Sequence, residues 1–166
     1  MRKFEFFALA LLLLSVFGCN QQERQERMEV DIIASEKSLP ASFDEIATKH
    51  EYEQILVERA ENKEEYQEMW EMFELKQDVL DVDMKAKDVL FIGFYESSSC
   101  PEEIKAITAD TEQQELEINL KDPDSDCTAD ASPKNFVLAV DKRHLNEISN
   151  IILVTSGQRI SFPVNE

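Results

Sequence analysis

The chain has 166 residues, 43% of them hydrophobic and 31% charged, with a formal net charge of −18 at pH 7. A chain of this length can bury the core of one domain, whereas two domains would be crowded. The 35 acidic residues against 17 basic ones repel nucleic acid and anionic lipid head groups, and no basic patch with interleaved aromatics offsets them.

At the N-terminus, Arg2 and Lys3 precede an apolar run over residues 6–17. Its length is that of a secretory signal core and falls short of the roughly 20 residues that a spanning helix needs. The run breaks off at SVFGC and turns polar in NQQERQER. This ending resembles the bacterial lipobox, in which a small residue precedes a cysteine that receives diacylglycerol and becomes the first residue of the mature chain. Gly18 and Cys19 fit; Phe17, where a small or branched residue is usual, and Glu5, in the basic leader, depart from it. The resemblance implies a signal peptide over residues 1–18 and a lipidated Cys19 as membrane anchor. It also implies a mature protein on the extracytoplasmic face of a bacterial cell membrane, by expectation Gram-positive. Two acyl chains suffice for stable anchoring. An uncleaved anchor and a secreted protein with a free Cys19 are the competing readings. Loss of residues 1–18 removes Arg2, Lys3 and Glu5 and moves the charge by one unit to −19. Solubility is the plain role of such a surface; attraction of a basic partner or of divalent cations is the functional one.

Residues 19–40 read as a lipid-anchored flexible tether, polar and without apolar periodicity through about Val30, and residues 41–166 as a single α+β domain. After Pro40, the stretch SFDE matches a capping box from Ser42 to Glu45 and starts a short helix through Ala47. In residues 51–59, YEQILVE sets Ile55 and Val57 on one side of a strand and Leu56 on the other. Residues 62–76, NKEEYQEMWEMFELK, carry Tyr66, Met69, Trp70 and Phe73 at i, i+3, i+4 and i+7. Asn62 can cap this amphipathic helix, Glu65 completes a capping box, Lys76 sits in the last turn, and Trp70 anchors a core. The continuous run DVLFIGFY, residues 88–95, suits a central strand covered on both faces. Residues 104–109 and 115–120 form a hairpin across DTEQQ, with Leu116, Ile118 and Leu120 inward and a wet opposite face. NFVLAV, residues 135–140, is a further strand and residues 142–148 a brief helix. Residues 151–155 and 159–164 close the chain as a hairpin about Ser156, Gly157 and Gln158. About six or seven strands with hairpin-length connections predict an α+β fold: an antiparallel sheet or small sandwich with one amphipathic helix packed on it.

With Cys19 assigned to lipid, Cys100 and Cys127 remain as a pair, each in turn-like surroundings, SSSCPEE and DSDCTAD. A disulfide between them closes a loop of about 28 residues and stabilises by roughly 3 to 4 kcal/mol in the chain-entropy model. Without a CxxC pair, and with only His50 and His144 as further soft ligands, a redox or zinc role is disfavoured. Ser97, Ser98 and Ser99 offer hydroxyls but lack a GxSxG elbow and a base in a motif, so they read as a turn. In DPDSDC, Asp122, Asp124 and Asp126 alternate like the first ligands of an EF-hand loop. Cys127 stands where that loop needs Gly and Pro133 where it needs a bidentate Glu, which leaves a weak calcium candidate beside the plainer reading of a solvated acidic loop. No cofactor is expected.

Four segments carry a family resemblance: SFDEIA, then YEQILVERAENKEEYQEMWEMF as a strand and a helix with a central Trp, DVLFIGFY as the core strand, and SPKNFVLAVDK near the end. In this order, from Ser42 to Lys142, the chain resembles the C-terminal domain of the protease-complex subunit PrcB. That family places a Thr-Gly-Gly-Tyr turn after the core strand, where SSSCPEEI stands here. The resemblance implies a noncatalytic exported domain that binds or supports a protease, with no catalytic residues to carry over. The leading expectation is a noncatalytic, membrane-anchored interaction module for another exported protein. A ligand- or calcium-binding envelope sensor is the alternative, and a serine hydrolase stands third.

Overall fold

The computed structural model describes residues 25–50, 53–121, 126–155 and 158–164. Ten strands and three helices follow one another along them: β1 (Gln25–Arg27), β2 (Asp31–Ala34), α1 (Phe43–Ile46), β3 (Thr48–His50), β4 (Glu53–Ala60), α2 (Lys63–Met72) and β5 (Lys87–Glu96), then β6 (Ile104–Asp110), β7 (Glu115–Leu120), β8 (Ser132–Asp141), α3 (Lys142–Leu145), β9 (Asn150–Thr155) and β10 (Gln158–Pro163). They form two five-stranded sheets. Sheet I has the order β1-β6-β7-β9-β10 and sheet II the order β2-β8-β5-β4-β3.

Alternation along the strands decides how the sheets stack. Leu90, Ile92 and Phe94 of β5, with Phe136, Leu138 and Val140 of β8, face Leu116, Ile118 and Leu120 of β7 and Ile151 and Leu153 of β9 in one core between the sheets. The opposite parity of sheet II, including Leu56, Val89, Phe91 and Val137, packs against Tyr66, Trp70 and Phe73 in a second core. Three layers result: sheet I, sheet II and α2. Sheet II is therefore apolar on both faces, which is why DVLFIGFY and NFVLAV show no alternation while β7, covered on one face, does. Gly93 lies where Leu39 and Phe73 press on sheet II. A Cβ there would sit 2.7 Å from Leu39 Cδ2 and 3.1 Å from Phe73 Cε1.

The broad α+β class holds, and the details need correction. Residues 25–40 are not part of a tether: β1 pairs with β6, β2 pairs with β8, and Ala34 and Pro40 are buried. These are short edge strands whose hydrogen bonds come from a neighbour already in place, so their own sequence need carry little β signal. They and β3 raise the strand number above six or seven. The sheets are also not wholly antiparallel, because β7 and β9 run parallel; the chain between them crosses to sheet II as β8 and returns through α3. At α1, Ser42 makes no side-chain cap, and the backbone of Glu45 instead donates to the Ser42 carbonyl at 2.9 Å. At α2, Asn62 Oδ1 accepts from the Glu64 and Glu65 amides at 3.0 and 3.1 Å, as expected. Glu65 reaches back one residue further than a capping box, to the Glu61 amide at 2.8 Å. The helix ends at Met72, so Lys76 lies beyond it.

Candidate functional site

β5 carries a carboxylate at each end of its inward-facing column, Asp88 before Leu90, Ile92 and Phe94, and Glu96 after them. Both are buried: Asp88 is 0% exposed and Glu96 4%. Their surroundings differ. Asp88 Oδ2 accepts from Arg59 Nε and Nη2 at 3.1 and 2.6 Å, and Lys142 Nζ stands 2.9 Å from Oδ1. Two cations thus neutralise one buried charge, as a structural ion cluster requires. Glu96 Oε2 accepts from the Glu102 backbone amide at 2.7 Å, while Oε1 is buried with no hydrogen-bond partner among the described residues. None of the ion pairs among those residues includes Glu96.

A cavity of about 340 Å³ opens at this end of the sandwich, between the last residues of β5, β7 and β9 and the start of β4. Ile55, Phe94, Leu120 and Leu153 form its apolar wall; Gln54, Ser97, Thr155 and two carboxylates, Glu96 and Glu102, supply polar groups. Cys100 and Cys127 form its roof as a disulfide with Cα atoms 5.7 Å apart, tying the β5–β6 connection to the β7–β8 connection. The expected bridge is therefore present, and it borders the cavity.

A polar clasp backs the disulfide. The Thr128 amide donates to Ser99 Oγ at 2.9 Å, the hydroxyls of Ser97 and Thr128 lie 3.0 Å apart, and the Ser98 amide donates to both Asp130 oxygens at 3.3 Å. The Thr128 hydroxyl also donates to Asp130. Hydrogen bonds from Ser98 and Thr128 hold the Asp130 carboxyl below its usual range. The serine turn is thus occupied in closing the loop. His144 lines a different cavity with Arg27, Asp31 and Lys87, so it is not brought to these serines. His50 is placed on edge strand β3, and its side chain lies outside what is described.

Of the remaining candidates, Cys19, Asp122 and Asp124 lie outside the described residues, and Asp126 is exposed. The described residues contain no group of three His, Cys, Asp or Glu side chains able to hold a metal ion, and no described helix is long and apolar enough to cross a membrane. In the sequence Glu96 lies just past the apolar run of residues 88–95, where a charge marks solvent as readily as core. The signal was present in the parity of positions 90, 92, 94 and 96.

The first described strand begins far from the cavity. β6 starts beside it at Ile104 and ends at Asp110, which pairs with Gln25, the first residue of β1. Six steps along a strand amount to about 20 Å. Comparison with models of protein families finds no match for this chain, and neither curated proteins nor solved structures give one.

Proposed function

We propose that the protein is a noncatalytic lipoprotein of the extracytoplasmic face of a bacterial membrane, anchored through Cys19, whose folded domain binds an exported partner through its disulfide-roofed end. The observation that carries this reading is the placement of Gln25, the first described residue, and the cavity at opposite ends of sheet I. Only residues 20–24 separate Cys19 from β1, a reach of about 20 Å when extended. An anchor there holds the domain close to the bilayer with the cavity turned outward. The Cys100–Cys127 disulfide supports an oxidising compartment, and a concave apolar site with a few polar groups is the make-up of a binding pocket. The resemblance to the PrcB C-terminal domain makes an exported protease the partner of first choice.

Growth with an alkyne analogue of palmitate tests the anchor. The full chain is expected to carry the label and sediment with membranes, and Cys19→Ala to lose both; label retained by that variant would sink the lipoprotein reading. A photo-reactive residue at position 98, beside the roof, is expected to cross-link an exported protein in intact cells. The same probe at position 112, in the turn at the anchored end, is expected to give none. Equal yields from both positions would remove the cavity end from the proposal.

A further inference from the structure

We infer that the cavity beneath the disulfide receives a primary ammonium or guanidinium group on an apolar stem, with Glu96 as its counter-ion. The inference rests on the proposed binding role of this end and names the chemistry of what is bound. β5 supplies its own comparison. At one end of the column Asp88 is buried with Arg59 and Lys142 on its oxygens; at the other, Glu96 is buried to a similar degree and, among the described residues, has a single backbone amide on Oε2 and no partner on Oε1. A carboxylate withdrawn from water and left without its donor is costly, and a protein gains nothing from keeping one in a core column where Leu or Phe would pack. The fold does keep it, on the wall of a cavity wide enough for about a lysine-sized group.

The class of ligand follows from what the rest of the cavity offers. A divalent metal ion wants six or more oxygens, and no metal-holding group of acidic, His or Cys side chains exists among the described residues. A neutral donor satisfies Oε1 as a hydrogen bond but leaves the charge uncompensated. An ammonium or guanidinium does both, with charge-assisted bonds to the Glu96 carboxylate and further acceptors on the cavity wall in the Gln54, Glu102 and Thr155 side chains. The apolar wall of Ile55, Phe94, Leu120 and Leu153 suits the methylenes behind the cation rather than a hydrated inorganic ion. A formal charge of −18 raises the concentration of organic cations around the mouth before any contact is made.

Titration calorimetry on the full chain in detergent, at physiological ionic strength, tests this with n-butylammonium, cadaverine, L-arginine and a blocked alanine peptide carrying one lysine. n-Butanol serves as the neutral match to the first. Saturable binding at one site is expected for at least one cationic probe and none for n-butanol, with Glu96→Gln weakening it about tenfold or more. Binding of the free amines identifies a small organic cation as the ligand. Binding confined to the lysine peptide, with the same dependence on Glu96, identifies the side chain of an exported partner. No binding by any cationic probe, equal binding of butanol and butylammonium, or an unchanged Glu96→Gln variant overturns the inference. Should that variant fail to fold, the butanol comparison on the natural chain decides alone. Failure here leaves the acylation and cross-linking results untouched, so the two readings fall separately.

Discussion

At the scale of single residues, two buried carboxylates on one strand carry opposite consequences. Removing the charge of Asp88 leaves Arg59, whose side chain is 13% exposed, and Lys142 without their shared anion. Asp88→Asn is expected to lower unfolding stability by about 3 to 5 kcal/mol in urea titrations, the cost of breaking a buried pair from one side. Glu96→Leu removes a carboxylate that, among the described residues, has no cation and one amide to lose, and it extends the column Leu90, Ile92, Phe94 by one apolar residue. Its stability is expected to match or exceed that of the natural chain by up to about 2 kcal/mol. A loss as large as that of Asp88→Asn would mean that Glu96 belongs to the scaffold, not to a site. The lesson is that burial does not sort functional from structural charge; the partner inventory of each oxygen does.

At the scale of elements, α2 does more than cover sheet II. Trp70 Nε1 donates to the Gln77 carbonyl at 3.2 Å and the Tyr66 hydroxyl to the Leu80 carbonyl at 3.1 Å, so two ring donors fasten the loop that follows the helix. Burial first, and the negative charge of Asp81 second, push the Tyr66 hydroxyl from 10.0 up to about 12. The folded state then holds this proton more tightly than the unfolded chain. Its contribution is complete below pH 10 and is lost as pH rises through 12. Thermal melts across that window are expected to fall more steeply for the natural chain than for Tyr66→Phe. Below pH 10 the variant is the weaker by about 1 kcal/mol, one hydrogen bond. Parallel curves would show that Tyr66 ionises without consequence for the fold. The helix itself was legible in the sequence, since Tyr66, Met69, Trp70 and Phe73 repeat at the helical period and Asn62 caps it. β5, β7 and β8 were legible because burial on two faces or one leaves a plain apolar pattern. β1 and β2 were not, as edge strands depend on a neighbour's hydrogen bonds, and the parallel register of β7 with β9 is a property of the crossing through β8, which no local pattern encodes. The cavity was half legible: its two cysteines announced themselves by number, and Glu96 did not, because a charge after an apolar run reads as solvated until the sheet above it is known.

At the scale of the whole molecule, the two sheets are held together by the core between them, by the backbone passing from one to the other at β1–β2, β5–β6, β7–β8 and β8–β9, and by a disulfide tie. That tie joins the connection leaving β5 in sheet II to the connection leaving β7 in sheet I, at the end where the core gives way to the cavity. The two cysteines are 27 positions apart, so the bridge removes loop entropy worth about 3 to 4 kcal/mol from the unfolded chain. Replacing both by Ser is expected to lower Tm by roughly 10 °C for a domain of this size, with the urea midpoint falling in proportion. The position of the bridge adds a second expectation. The inner ends of the sheets keep their apolar packing without it, whereas the roof loses its covalent tie and is left to hydrogen bonds such as those of the Ser97, Ser98, Ser99, Thr128 and Asp130 clasp. Hydrogen exchange should therefore rise most in residues 97–103 and 126–131 and least in β5 and β8. Uniform acceleration across both sheets would show instead that the disulfide holds the sandwich as a whole, and that the cavity end has no independence to use in binding.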